Sequence, residues 1–399
     1  QDGAIDESPE KGSDLYTTID TELQLLAEDL MEGKQGAVVA LNPDNGAVLS
    51  MVSAPEYDIR KLSGRLDKTY WDSINADTTN PLYNRAVSGK QPPGSTFKPL
   101  MALMGLELGI ITSKTKIDNP GYYYRGRRYN DLADPGKYDV GKALQESSNT
   151  FFFWLMDKIA IQKGLDKWHE LATSFGLGEY NNIDIPNEVT GTIPDSTFFN
   201  RVLGEGKWGI GDQLSLGVGQ GFVAVSPLQM ALVAAQIGNG GYKVQPHFVS
   251  AIRENDETMM LTNPKKEKID WVDSNEIAVV KNGMRRVVTD GSGRYYADLD
   301  SIKVAGKTGT AQNPHGQDHG WFISFAPVDD PKIAVAVLVE NGGYGSISAA
   351  PIASLLIEQY LTGEIDRSYV YNYVKTFEPR KQTTDEEEDE NIDDQSQGT

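Results

Sequence analysis

The feature that most constrains this chain is where its strand-like runs fall. Two apolar, β-rich runs, Ala37–Leu41 and Ala47–Val52, sit near the start. Three more, Ile302–Ala305, Trp321–Phe325 and Ile333–Val339, crowd together near the end. Between them, from Pro92 to about residue 240, apolar positions mostly follow helical spacing with Gly-rich interruptions. A parallel sheet would show strands and helices alternating steadily, and this chain does not. The pattern predicts an α+β fold, with one antiparallel sheet built from distant segments around a helical insert. The first pair of runs is separated by Asn42-Pro43-Asp44-Asn45-Gly46, a hairpin signal. No internal repeat is present.

Boundary signals sharpen this outline. Asp20 precedes Leu23, Leu26, Ala27, Leu30 and Met31 at helical spacing, with Gly33 as the stop. Ser226-Pro227 opens a helix through Met230 and Val233 to Gly238, with a cap residue followed by proline at the first helical position. Further helices are expected over Glu276–Val288, stopping at Thr289-Asp290-Gly291-Ser292-Gly293, and over Pro351–Leu361. Residues 1–14 read as a linker remnant, 15–378 as one catalytic domain, and 379–399 as an acidic tail. Residues 385–399 hold eight acids and no base, so they bury almost nothing and are expected to be disordered. Because the chain starts with Gln1 and not Met, it reads as a fragment or processed product.

Net charge is −20, which argues against a nucleic-acid binder, because the phosphate backbone requires a basic surface. Cysteine is absent, which removes disulfides, thiolate metal sites and a cysteine nucleophile. No run approaches the ~18 apolar residues of a membrane span. The longest candidate, 151–161, is broken by Asp157 and Lys158.

Three short motifs are suited to chemistry. The first is Ser95-Thr96-Phe97-Lys98, after Pro92-Pro93-Gly94 and before an apolar helix. Serine and lysine three residues apart share a helix face. A buried lysine loses its proton near neutral pH and then serves as a base toward a hydroxyl. The S-x-x-K spacing also occurs at Ser8/Lys11 and Ser113/Lys116, in polar surroundings. Taken alone, Ser95/Lys98 is therefore more readily a capping serine and a surface lysine than a catalytic pair. The second is Ser147-Ser148-Asn149, with another S-x-N at Ser73/Asn75. Such a turn places a hydroxyl and an amide toward a pocket, or simply breaks a helix with local hydrogen bonds. The third is Lys307-Thr308-Gly309-Thr310, expected at the end of a strand, where lysine and threonines suit a carboxylate. A phosphate loop is excluded, because the required glycine position is Ser301. The segment 217–221, GVGQG, fails a dinucleotide fingerprint at Phe222 and reads as tight turns or close packing. The order S-x-x-K, S-x-N, K-T-G is more specific than any part. It supplies a nucleophile, a base, a proton relay and an anion site, the parts of an acyl-transfer enzyme.

On these motifs, and on segments such as PPGSTFKP, ESSNTFF, GQGFVAVSPLQMA and VAGKTGTAQ, the chain resembles the class B penicillin-binding proteins. Within them it is most similar to penicillin-binding protein 2 of the rod-elongation complex, over about residues 15–378. The resemblance implies a five-stranded antiparallel sheet flanked by helices, plus a helical subdomain. It implies a peptidoglycan D,D-transpeptidase in which Ser95 attacks the penultimate D-alanine carbonyl and Lys98 accepts its proton. Ser147 would pass a proton to the leaving amine, and Asn149 would hold the donor peptide. Lys307 would support the charge of the site, and Thr308, Gly309 and Thr310 would bind the terminal carboxylate that β-lactams mimic. The N–H groups of Ser95 and Thr310 would form an oxyanion hole.

The implied partners are peptidoglycan stem peptides, β-lactam antibiotics, a membrane glycan polymerase and rod-complex scaffold proteins, with no nucleic acid. The implied location is the extracytoplasmic (periplasmic) face of the bacterial inner membrane, with the membrane anchor outside this chain. No cofactor is expected. Some members bind zinc through Asp, His and Cys between the first two motifs. Residues 99–146 contain no His or Cys, so no such metal site is expected. Tyr122–Arg128 reads as an exposed loop, and His315 and His319 as part of a Pro/Gly surface loop. The rival functions are a D,D-carboxypeptidase or β-lactamase, and a β-lactam sensor. The deacylating E-x-x-L-N pattern is absent, since Glu188 stands in IPNEVTG.

Overall fold

A computed structural model describes residues 12–254, 258–314 and 316–379. Both the segment 1–11, with Ser8/Lys11, and the acidic tail from 385 lie outside the described residues. Asp14–Thr17 forms a strand against Val249–Glu254, which also pairs with Thr258–Leu261. Among the described residues, regular structure therefore starts at the last residue of the segment read as a linker.

The helix α1 (Thr21–Met31) opens on Asp20, whose carboxylate accepts the Leu23 N–H at 3.0 Å. It buries Leu23, Ala27, Leu30 and Met31 at helical spacing. The hairpin follows, with β1 (Gly36–Leu41) antiparallel to β2 (Val48–Ala54). Its turn is held by side chains: Asn42 accepts the Asp44 N–H at 2.8 Å and Asn45 the Ala47 N–H at 2.9 Å. The remaining strands are β3 (Ala305–Ala311), β4 (His319–Ala326) and β5 (Ile333–Val339). The order across the sheet is β3-β4-β5-β1-β2, all antiparallel. The two ends of the sequence meet at the β5–β1 pair, where Val337 stands opposite Val38.

The sheet is covered on both faces, so β1 and β5 read as continuous apolar runs, with every residue buried. Alternation still divides them. Ala37, Val39, Leu41, Ala336 and Leu338 join the core shared with the helical insert. Val38, Ala40, Val335 and Val337 join a second core under α1 and the C-terminal helix.

Within the insert, α2 (Lys98–Glu107), α3 (Val140–Gln145) and α4 (Asn149–Gln162) surround the site, and α5 (Pro227–Gly238) is buried along its whole length. The Ser226 cap is a full capping box with Gln229. Helix α6 (Ser274–Thr289) packs beside β3, and α7 (Ala350–Thr362) closes the second face.

One strand differs from expectation. Ile302–Val304 is not in the sheet, and the strand runs instead over Ala305–Ala311, so the K-T-G motif is inside it and not at its end. Strand propensity favoured Ile302 and Val304 over the glycines. The edge position demands the glycines: a Cβ on Gly306 would lie 2.5 Å from Phe322 Cζ, and one on Gly309 would lie 2.8 Å from Thr96 Cγ2.

Candidate active site

Ser95 sits in a 3₁₀ turn, Gly94–Phe97, that runs directly into α2. The turn is fixed by close backbone approach. Gly94 has φ +54°, and a Cβ there would lie 2.5 Å from the Thr310 carbonyl oxygen. Gly219, from the GVGQG segment, donates no bulk either. A Cβ on it would lie 2.3 Å from the Gly94 carbonyl oxygen, while the Gly94 N–H donates to the Gly219 carbonyl at 2.9 Å. That segment therefore serves close packing. It clamps the Ser95 turn between itself and β3.

Lys98, the first residue of α2 and one turn after Ser95, is fully buried. Its Nζ donates to the Ser147 carbonyl at 2.7 Å, to Asn149 Oδ1 at 2.8 Å and to Ser147 Oγ at 3.2 Å. Lys307 on β3 is equally buried and donates to Ser147 Oγ at 3.0 Å and to the Thr308 carbonyl at 3.0 Å. Ser147 joins α3 to α4 with φ +57°, which turns its hydroxyl toward both lysines. Burial lowers the Lys98 ammonium to about 7, against an opposing pull from the Asp131 carboxylate. Burial, and then the neighbouring Lys98 charge, hold Lys307 well below the ordinary lysine range.

A cleft of about 600 Å³ lies above these lysines, lined by Ser95, Ser147, Asn149, Thr308 and Thr310. Gly309 is not among its lining residues; it marks where β3 passes Thr96 and the Pro93 carbonyl. The three motifs, far apart in sequence, are thus brought together. The other S-x-N pair, Ser73/Asn75, lies on an exposed helix, bonded to the carbonyls of Tyr70 and Trp71.

Sequence reasoning missed several members of the site. Ser292, in the turn that ends α6, shares a 2.5 Å hydrogen bond with Thr308 Oγ1. Gln220 donates to the Thr310 carbonyl at 3.3 Å. Asp131 accepts from Ser148 Oγ at 2.6 Å, Asn149 N at 2.7 Å, Thr150 N at 2.8 Å and Asn119 Nδ2 at 2.9 Å. None of these carries a local signature. Only the "N-cap before an apolar helix" rule, applied to a remote carboxylate, would have flagged Asp131.

Two surface-loop expectations need correction. Tyr122–Arg125 and Arg127–Asn130 form a β-hairpin, and Arg127, Tyr129 and Asn130 line the cleft. Contacts between the tyrosines and arginines favour the paired form: Arg127 lies over the Tyr129 ring at 4.7 Å and Arg128 over Tyr122 at 4.3 Å. His319 is a buried member of β4, and its Nδ1 accepts the Asn341 N–H at 3.1 Å. His315 lies outside the described residues.

The donor set does not fit a zinc ion between the first two motifs. That segment holds no His or Cys, and both oxygens of its half-buried Asp131 carboxylate are taken by N–H and O–H donors. Among the described residues no group of three or more His, Cys, Asp or Glu is gathered at metal-binding distance. Nor, among them, is any helix long and apolar enough to cross a membrane.

A lysine-flanked serine hydroxyl beneath a second serine, on an antiparallel sheet with a helical insert, defines a serine acyl-transfer fold. Comparison with known proteins gives the family: residues 36–358 match the penicillin binding protein transpeptidase domain, and the chain belongs to that family. It is 33% identical over 374 residues to the peptidoglycan D,D-transpeptidase MrdA of Acinetobacter baumannii, covering 88% of this chain and 54% of that protein. Among solved structures, Pseudomonas aeruginosa PBP2 in complex with WCK 5153 superposes with a TM-score of 0.79 at 34% identity, covering 90% of this chain and 81% of that one. The complex of PBP2 and MreC from Helicobacter pylori gives a TM-score of 0.76 at 28% identity, covering 88% and 64%. The chain thus spans little more than half the length of the curated relative it matches.

Proposed function

We propose that this chain carries the D,D-transpeptidase activity of a peptidoglycan cross-linking enzyme. The observation that carries the reading is the convergence of Lys98 and Lys307 on Ser147 Oγ beneath the cleft that holds Ser95. Neutral Lys98 accepts the Ser95 hydroxyl proton as Oγ attacks the penultimate D-alanine carbonyl of a stem peptide. The oxyanion forms against the N–H groups of Ser95 and Thr310, and the Gly94–Thr310 contact keeps these two segments together. Removing one such donor typically costs ~3 kcal/mol of transition-state stabilisation. The C–N bond breaks, and the proton travels through Ser147 to the departing D-alanine amine, leaving an ester on Ser95. An acceptor amine then attacks that ester, loses its proton to the lysine network, and releases Ser95. Thr308 and Thr310 receive the terminal carboxylate, and Asn149 the peptide.

A β-lactam presents the same carboxylate and carbonyl, so it acylates Ser95. The hydrolase alternative lacks support from Glu188. Its carboxylate accepts the backbone N–H groups of Asn181 and Ile183, at 2.6 and 3.3 Å, and it is not among the cleft residues. The sensor alternative predicts acylation without turnover of stem peptides. By family, the setting is the extracytoplasmic face of the inner membrane, with a scaffold protein such as the MreC of the H. pylori complex and a glycan polymerase as partners. The test is intact-mass spectrometry with peptide mapping after benzylpenicillin. A long-lived adduct on Ser95 supports the reading, and an adduct elsewhere or rapid release of hydrolysed drug overturns it.

A further inference from the structure

The turn that carries Ser147 and Asn149 is held from one side by a carboxylate that the mechanism above does not use. Asp131 follows the hairpin, and its own N–H donates to the Gly121 carbonyl at the hairpin's base. Its Oδ1 accepts Asn149 N at 2.7 Å and Ala133 N at 3.2 Å, and its Oδ2 accepts Thr150 N, Ser148 Oγ and Asn119 Nδ2 at 2.8, 2.6 and 2.9 Å. It therefore takes up two N–H groups at the α4 N-terminus, which is also the end that favours negative charge. Those N–H groups belong to the S-x-N motif and its successor. Asn149 is thus gripped twice: its N–H by Asp131 and its Oδ1 by Lys98.

We infer that Asp131 is a positioning residue, which locks the Ser147–Asn149 turn and tunes Lys98 through that turn and through its own negative charge. This rests on the transpeptidase reading for its consequence in catalysis, though not for its geometry. The charged groups acting on Lys98 are Asp131, from the segment after the hairpin, and Lys307, from β3. Glu146, at the cleft, is exposed, and the Phe152 ring from α4 lies 5.5 Å from the Lys98 Nζ. Asp131 is the anion among them that meets the S-x-N turn directly. Burial would raise the Asp131 carboxyl, but the donors on Ser148, Thr150, Asn149 and Ala133 outweigh it and keep it below the ordinary value. It is therefore charged wherever the enzyme works.

Asp131→Asn keeps the shape but replaces one acceptor oxygen by an N–H donor. At least one donor in the cluster is then left facing a donor. The negative charge that favours protonated Lys98 also disappears, so Lys98 deprotonates at lower pH.

The test is the rate of acylation of the full chain by a fluorescent penicillin, measured from acid to alkaline pH. For Asp131→Asn the expected result is a maximal rate at least about tenfold below wild type, with the midpoint of the acid limb displaced to lower pH. A lower rate with an unmoved midpoint assigns Asp131 a structural role only and overturns the tuning. An unchanged rate and midpoint overturn the inference entirely. If circular dichroism shows that Asp131→Asn does not fold, Ser148→Ala replaces it, removing one donor and leaving the carboxylate in place. A several-fold loss of rate supports the locked turn, and no loss overturns it. If wild type itself is not acylated on Ser95, the transpeptidase reading fails and not this one. Titration of ε-¹³C-lysine by NMR, with the Lys98 signal identified by its loss in Lys98→Arg, then decides. An unmoved Lys98 midpoint in Asp131→Asn overturns the inference.

Discussion

Lys98 and Lys307 place their ammonium nitrogens on one acceptor, Ser147 Oγ, at 3.2 and 3.0 Å. Two lysines this close, both fully buried, do not both stay protonated at neutral pH, because desolvation and mutual repulsion each disfavour the charged form. The shared hydroxyl connects Lys98, one turn after Ser95, to Lys307, which precedes Thr308 on β3.

The pH dependence of acylation follows from that arrangement. Lys98 must be neutral to accept the Ser95 proton, and burial brings it down to about 7. Below that value most molecules carry a protonated, inert Lys98. Above it the base is free. The second-order rate constant for benzylpenicillin is expected to rise about tenfold per pH unit on the acid side and level off above about 7. Stopped-flow acylation across pH checks this. A rate that is flat from acid to neutral pH would remove Lys98 as the base.

Much of this was legible from residue order. The α1 cap at Asp20, the hairpin across Asn42–Gly46 and the Ser226 cap before Pro227 are local signals, and each formed as read. The sheet was legible because β1 and β5 are runs too apolar to be exposed on either face. The strand with the K-T-G motif was misplaced, since Gly306 and Gly309 answer to Phe322 and Thr96, which are distant in sequence. Asp131 escaped for the same reason. Its donors lie up to 19 residues away, and a positive-φ turn at Ser147 is needed to aim them.

Gly94→Ala probes the clamp around the nucleophile. The position has φ +54° and its Cβ would fall 2.5 Å from the Thr310 carbonyl oxygen, a backbone atom that cannot swing away. The Ser95 turn and β3 must therefore part, which separates the two N–H groups proposed for the oxyanion. Acylation is expected to drop at least a hundredfold, by the magnitude of losing one oxyanion donor. Fluorescent-penicillin labelling against a circular-dichroism melt separates this from unfolding. Near-wild-type labelling would exclude these N–H groups as the oxyanion hole.

Leu338→Ala tests the sheet without touching the site. Leu338 is fully buried on β5, on the face shared with the helical insert. Truncation leaves a cavity in a core that collapses only in part, and is expected to cost about 2–5 kcal/mol. The measurable outcome is a lower Tm and denaturant midpoint, with the acylation rate of the folded protein unchanged. A stability change under 1 kcal/mol would mean that this part of the core repacks freely.

The hairpin that lines the cleft is expected to matter more for a long substrate than for a small one. Tyr123 donates its hydroxyl to buried Asp157 at 2.7 Å, and the Arg125 guanidinium lies 3.3 Å from the same carboxylate. The Tyr129 ring packs on Phe153 at 5.2 Å, and its hydroxyl donates to the Gly211 carbonyl. These contacts tie the hairpin to α4 and to the short helical turn Ile210–Gln213, and so fix where Arg127 and Tyr129 stand in the cleft wall. Asp157→Ala removes the α4 side of two of these ties while leaving Ser95, Lys98 and Ser147 in place. On the proposed reading, a β-lactam would meet chiefly the residues around Ser95, whereas a stem peptide would extend along the cleft. The expected outcome is β-lactam acylation within about twofold of wild type and a loss of roughly tenfold in kcat/KM for a stem-peptide thioester, a change of about 1.4 kcal/mol. Equal losses on both substrates would show that the hairpin supports the catalytic floor and not the substrate's length.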